Sequence, residues 1–290
     1  MILVFGGNGQ LGQELTRCAA GRGIPLVAVS RSEADIAVPA QVRAAIARHR
    51  PGIVVNAAAY TNVDQAEDEY EIALRANAHG PATLAAACRD ADLPLIHIST
   101  DYVFDGCKSG AYVESDPIAP VGAYGRSKAE GEVAIREAWH KHLILRTAWV
   151  YGEFGKNFLK TVLRLARERD ELRIVADQHG CPTSTRNIAS AILSIAPRLS
   201  NDDAHWGTYH FSGLGVTSWH GFAERIVAVQ ARHTHRTPSV IPIATHQYPT
   251  KAVRPANSAL DCSLFTTVFG ITPEPWMTES ERVTDALLHA

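Results

Sequence analysis

Short apolar runs alternate with stretches of helical spacing over the first half of the chain. Residues 2–5, 25–30, 52–56, 95–99 and 142–150 are compact apolar runs, and they read as buried strands. Between them, residues 11–22, 38–49, 71–90 and 124–139 carry apolar side chains at helical intervals. This order predicts an α/β fold: a doubly wound, Rossmann-like parallel sheet with helices on both faces. The pattern changes near Tyr151. Residues 157–169 and 187–196 read as helices, 177–185 as a glycine- and proline-bearing loop, and 207–212 as a strand. Beyond Gly213 prolines and histidines thicken and no order is read. The expected division is a dinucleotide-binding domain of residues 1–150, joined again by roughly 182–212. A smaller C-terminal substrate-binding lobe would hold roughly 151–181 and 213–290.

Composition narrows the class. The 290 residues are 46% hydrophobic and 20% charged, with a formal net charge of -2, the balance of a globular protein without a nucleic-acid-binding surface. Five widely spaced cysteines with no C-x-x-C pattern argue against a disulfide framework or a zinc site, so a reducing, cytoplasmic setting is expected. No apolar run approaches the ~20 residues that span a bilayer, and no membrane partner is expected.

The first strand runs into Gly6-Gly7-Asn8-Gly9-Gln10-Leu11-Gly12, which opens a helix. Small residues are needed there because the chain turns tightly, the backbone approaches a pyrophosphate, and the helix packs against the strand. Free N–H groups at the helix start then face the phosphate charge. After the second strand comes Ser30-Arg31-Ser32. Arg31 suits a 2′-phosphate and leans the choice toward NADPH, with NADH still open. Asp35 and Ile36 follow and are candidates for the adenine end.

Tyr124-Gly125-Arg126-Ser127-Lys128 places a phenol and an ammonium one helical turn apart. A tyrosine ordinarily titrates near ~10, and a neighbouring cation favours its phenolate. The pair therefore reads as a general acid for a carbonyl that receives a hydride. Ser99-Thr100-Asp101 closes the preceding apolar strand, where ligands of open α/β sheets sit. The Thr100 hydroxyl is placed to bond the same carbonyl.

These residues resemble the extended short-chain dehydrogenase/reductase superfamily, and within it the dTDP-4-dehydrorhamnose reductases. The likeness runs through GGNGQLGQEL at 6–15, VVNAAAYTNVDQAE at 54–67, HISTDYVFDG at 97–106, YGRSKAEGE at 124–132, ILRTAWVYG at 144–152, DQHGCPTS at 177–184 and RPANSAL at 254–260. It implies reduction of a 4-keto-6-deoxysugar on dTDP. Thr100, Tyr124 and Lys128 would be the catalytic set, with Lys128 also on the nicotinamide ribose. Gly6, Gly9, Gln10, Leu11 and Gly12 would line the pyrophosphate, Asp35 and Ile36 the adenine, and Ala57, Ala58, Ala59 and Thr61 the length of the cofactor. Thr100, Asp101 and Trp149 would touch the sugar. Some members dimerise through a glutamate-held magnesium ion; Glu14 matches one such position, and its partners are not placed. A homodimer and magnesium thus stay open. So do a related deoxysugar reductase or epimerase, and a non-catalytic regulatory subunit with the same fold.

Outside these motifs, Arg254 and Lys251 are candidates to neutralise a diphosphate. His233, His235 and His246 read as solvated rather than metal-binding. The acidic run Asp64, Glu67, Asp68, Glu69 and Glu71 reads as a solvated helix start.

Overall fold

A computed structural model describes residues 1–200, 205–234 and 236–289. The elements follow in the order β1 (Ile2–Phe5), α1 (Gln10–Gly21), β2 (Leu26–Val29), α2 (Pro39–His49), β3 (Ile53–Asn56), α3 (Tyr70–Leu74), α4 (Gly80–Asp90), β4 (Leu95–Thr100), α5 (Ala123–Ala138) and β5 (His142–Thr147). The second half holds β6 (Val150–Tyr151), α6 (Phe158–Glu168), β7 (Glu171–Val175), β8 (His179–Gly180), β9 (Thr183–Ser184), α7 (Thr185–Ile195), β10 (Gly207–His210), β11 (Thr217–Ser218), α8 (Trp219–Thr234), β12 (Ser239–Ile243), α9 (Ser263–Phe269) and α10 (Trp276–His289).

Six strands form one parallel sheet in the order β10-β5-β4-β3-β1-β2. All side chains of β1, β3 and β5 are buried, as continuous apolar strands between two helix layers require. One layer draws on α2, α4 and α5 through Val42, Leu84 and Ile135. The other draws on α1 and α7 through Leu15 and Ile192. The chain reverses direction across the sheet between β1 and β3, which opens a crevice at their carboxyl ends.

A third core lies beyond the sheet, where Tyr151, Leu159, Phe222, Trp276 and Val283 meet. It joins α6, α8 and α10, the last two lying in the region where the sequence showed no order. The α9 helix, expected with this lobe, instead sends Phe265 and Phe269 into the core under the main sheet.

Two expected elements are interrupted. The helix expected over 71–90 contains a π turn at Arg75–His79 between α3 and α4. The strand expected over 142–150 breaks at Ala148 and Trp149, where Trp149 takes φ 46°. That left-handed backbone is strained for a tryptophan, and it redirects the chain from the main sheet into β6. Its indole stacks on Trp219 with centroids 3.5 Å apart, and the packing holds the turn.

Candidate active site

The crevice between β1 and β3 is a cleft of about 250 Å³. Gly6, Asn8 and Gly9 form its floor, Ala57–Tyr60 one wall, and Arg31 with Ala34–Ala37 the far end. Gly6 sits at φ 94°, and a Cβ there would lie 2.6 Å from the Ala58 nitrogen. At Gly12 a Cβ would lie 2.3 Å from the Gly6 carbonyl oxygen. Neither position admits a side chain, so the backbone of the turn stays open to a ligand at the start of α1. This cradle fits a dinucleotide pyrophosphate. Gly6, Gly9, Arg31, Asp35, Ile36, Ala57, Ala58 and Ala59 line the cleft as expected. Gln10, Leu11, Gly12 and Thr61 are not among its lining residues. Leu11 is buried in the core beneath the sheet, and Gln10 accepts a hydrogen bond from Asn157 across the lobes at 3.0 Å. The lining also includes Tyr60, Ile72, Arg75 and Ala76, which sequence reasoning did not single out.

Beside this cleft, α5 carries Tyr124 and Lys128 past the end of β4. The Thr100 hydroxyl donates to Asp101 Oδ1 at 3.0 Å and accepts from the Tyr102 amide at 3.2 Å. The Tyr124 phenol lies close enough to the Thr100 side chain for that hydroxyl to favour its phenolate. Tyr102 packs edge-on to the Tyr124 ring at 6.0 Å. Tyr124 as a residue is half-buried, but its hydroxyl end is enclosed by these groups, and burial pushes the phenol up to about 12. The expected lowering by Lys128 is absent. Burial instead pulls Lys128 down to about 8, and its Nζ is engaged elsewhere. It donates to the Ile98 carbonyl at 2.6 Å and lies 3.2 Å from His97 Nε2. His97 is fully buried and in turn meets Asn56 at 2.9 Å. In this geometry Tyr124 keeps its proton throughout the neutral range, as a proton donor must.

Asp101 is 2% exposed, and its Oδ2 has no hydrogen-bond partner among the described residues. Burial raises its carboxyl to about 7 against the lowering effect of the Thr100 hydrogen bond and the nearby Ser258 hydroxyl. A buried orphan oxygen beside the Thr100 and Tyr124 hydroxyls is a ready partner for a polar ligand.

Two further groups support this set. Asn77, in the π turn, accepts from the Tyr60 amide at 2.9 Å and donates to the Tyr60 carbonyl and Ser127 Oγ, each at 3.0 Å. It ties the cleft wall to the helix carrying Tyr124 and Lys128. Glu132 is fully buried and receives Arg146 through Nε at 2.9 Å and Nη2 at 2.7 Å, with Ser99 Oγ at 2.6 Å. Burial opposes the charged Glu132, but Arg146 outweighs it and holds the carboxyl below its usual range.

Known proteins resemble this chain over nearly its full length. Residues 1–289 match the family described as the RmlD substrate binding domain. The chain belongs to this family. A dTDP-4-dehydrorhamnose reductase of Aggregatibacter actinomycetemcomitans is 44% identical over 279 residues, 95% of each chain. A dTDP-4-dehydrorhamnose reductase of Clostridium acetobutylicum superposes with a TM-score of 0.92 at 35% identity, covering 99% of each chain. The Bacillus anthracis dTDP-4-dehydrorhamnose reductase in complex with NADP superposes with a TM-score of 0.91 at 34% identity, covering 98% of each.

Within this RmlD-family chain, several expected residues stand differently from the sequence reading. Within the single chain Glu14 is paired by Arg17. It is 1% exposed, and Arg17 takes its two carboxylate oxygens at 2.7 and 2.9 Å. Among the described residues of the single chain, no group of three His, Cys, Asp or Glu is placed to hold a metal. Trp149 is 9% exposed and stacked on Trp219, so its ring belongs to the second core more than to an open wall. The acidic run is a largely exposed helix start, as expected, and some of its carboxylates also find partners in distant segments. Asp64 pairs with Arg254, Asp68 with Lys251, and Glu67 accepts from the Ala123 amide at the start of α5. His233 pairs with Asp285 at 2.9 Å, and His235 lies outside the described residues. No helix among the described residues is long and apolar enough to cross a membrane.

Proposed function

We propose that this chain reduces the 4-keto group of dTDP-4-dehydro-L-rhamnose to give dTDP-L-rhamnose, using NADPH or NADH. The observation that carries the reading is the convergence of Thr100 and Tyr124 at the carboxyl end of β4, beside a glycine cradle that fits a dinucleotide. The names of the relatives support the substrate.

Gly6, Gly9 and the start of α1 hold the pyrophosphate, Asp35 and Ile36 border the adenosine, and Ala57–Tyr60 run along the cofactor. When bound, the dihydronicotinamide supplies a hydride for the carbonyl carbon. Thr100 and Tyr124 point hydroxyls at the carbonyl oxygen and orient it. Tyr124 delivers its proton to that oxygen as negative charge builds there. Lys128 lies one turn further along the same helix face with its Nζ held by the Ile98 carbonyl, and its remaining N–H groups would bond the nicotinamide ribose. Asp101 Oδ2 meets a sugar hydroxyl. Arg254 faces the diphosphate, and Trp149 contributes an edge to the sugar wall. The division of labour places cofactor binding in residues 1–150 with roughly 182–212, and substrate binding in roughly 151–181 and 213–290 without α9.

The decisive experiment mixes the purified protein with NADPH and the dTDP-linked 4-keto-6-deoxysugar. NADPH oxidation should match the appearance of dTDP-L-rhamnose by NMR. No oxidation with this substrate would reject the assignment. A product epimeric at the new carbinol would favour a related deoxysugar reductase.

A further inference from the structure

The adenosine end of the cleft holds a second cation that the proposed function does not use. Arg75 opens the π turn after α3 and lines the cleft on the side facing Arg31 and Asp35. Its Nη2 lies 2.9 Å from Asp35 Oδ2, and the Arg31 Nε lies 3.5 Å from the same oxygen. One carboxylate therefore stands between two guanidiniums drawn from segments over forty residues apart.

Asp35 is itself firmly placed. Its Oδ1 accepts from the Ala37 amide at 2.9 Å, and its own amide donates to Gln41 at 2.8 Å. Ile36, the next residue, is buried against Gly80, where a Cβ would lie 2.6 Å from the Ile36 side chain. The π turn is fixed from the other side by Asn77, which bonds Tyr60 and Ser127. Neither flank of Arg75 is loose.

As a stabilising pair the Arg75–Asp35 contact counts for little. The Arg75 side chain is 45% exposed and Arg31 is 73% exposed, and such pairs are strongly screened. Their placement has a clearer use in ligand binding. Two cations and one anion leave a net positive charge at the mouth of the cleft. Arg75 spends one nitrogen on Asp35 and Arg31 approaches with Nε, so each arm has further N–H groups for an anion. A 2′-phosphate brings a charge of ~-1.5 to -2 at neutral pH and three strong acceptor oxygens. Guanidinium forks match that geometry.

We propose that Arg75 and Arg31 form a two-armed reader of the cofactor 2′-phosphate, with Asp35 as the carboxylate that holds both arms in place. The inference rests on the proposed use of NADPH and adds the residue that separates it from NADH. When the phosphate arrives, both guanidiniums turn their unused N–H groups to it. When the ribose carries only a hydroxyl, Asp35 keeps the two cations compensated, and the site still accepts NADH.

Direct binding by calorimetry tests this without turnover. The probes are NADPH, NADH and adenosine 2′,5′-bisphosphate. Arg75→Ala should weaken NADPH and the bisphosphate about tenfold and change NADH less than about twofold, the scale of one charge-assisted contact. Arg75→Lys should recover part of the loss. Equal losses for NADPH and NADH, or an unchanged NADPH affinity, would overturn the proposal. Should Arg75→Ala not fold, the wild-type protein decides. Its preference for NADPH over NADH should shrink as salt is raised, because screening of the pyrophosphate contacts is common to both cofactors and only NADPH also loses a 2′-phosphate contact; a preference independent of salt overturns the proposal. Wild-type protein that binds neither cofactor would overturn the proposed function as well. Wild-type protein that binds both while Arg75→Ala affects them equally would overturn only the role of Arg75.

Discussion

Arg254 grips Asp64 with both terminal nitrogens, at 3.0 and 2.7 Å from the two carboxylate oxygens, across 190 residues of sequence. The Asp64 carboxylate also accepts from the Ala252 amide, and Lys251 pairs with Asp68 beside it. The loop that carries Arg254 is thereby fastened to the segment between β3 and α3. Arg254 is only 20% exposed at its side chain, and it lies close enough to Tyr102 to interact with its phenol electrostatically. Arg254→Ala should raise the KM for the nucleotide sugar about tenfold and leave NADPH affinity unchanged. An unchanged KM with a lowered melting temperature would show that the pair only fastens the lobes.

Tyr124→Phe removes one oxygen and keeps the ring that packs on Tyr102. Turnover should fall by ~10²–10⁴-fold, the usual worth of a general acid, while NADPH binding persists. Stopped-flow measurement of hydride transfer checks it. A rate within a factor of two of wild type rules out Tyr124 as the proton donor.

Asp101 gives stability an inverted pH dependence. Burial raises its carboxyl from 3.8 to about 7, so the folded chain holds a proton that the unfolded chain has lost between those values. Folding then binds more protons, and stability falls as pH rises through that window, by roughly 4 kcal/mol at most, before levelling above it. Asp101→Asn should flatten this slope in urea denaturation at pH 4 to 7. A slope equal to that of wild type would place the charged carboxylate in a better-solvated setting than its 2% exposure implies.

Glu132 and Arg146 are buried together, so losing one partner strands the other. Glu132→Gln should cost about 3–5 kcal/mol of stability. Replacing both, by Glu132→Leu with Arg146→Met, should restore most of it, since an apolar pair of similar volume leaves no orphan charge. Chemical denaturation of the three proteins decides. If the double variant is no more stable than Glu132→Gln, the loss comes from packing of Ser99, Phe104 and His210 around the pair.

The first half was legible because its signals are local. Apolar runs marked β1 to β5 within a few residues, the glycine turn joins two consecutive elements, and the Tyr124–Lys128 spacing lies inside one. The distant partners of the acidic run from Asp64 to Glu71 were not legible for the opposite reason. Alone it is a polar helix start; folded, its carboxylates meet Arg254, Lys251 and the Ala123 amide. Similarly, Lys128 reads in sequence as the partner of Tyr124. Burial of β4 brings His97 and the Ile98 carbonyl to its Nζ instead.

By itself the sequence determined the alternation of strand and helix, the turn at Gly6–Gly12 and the helix that carries Tyr124 and Lys128, because these depend on steric limits and periodicities within about ten residues. Tertiary structure alone decided that Arg75 shares Asp35 with Arg31, that Asn77 bridges Tyr60 and Ser127, that Arg17 reaches Glu153, and that Trp149 turns inward onto Trp219. Each of these turns on which segments become neighbours when the sheet orders itself β10-β5-β4-β3-β1-β2, or on a π turn inside one helix. A charge or a ring carries no mark of its partner until packing removes it from water and leaves one group within reach.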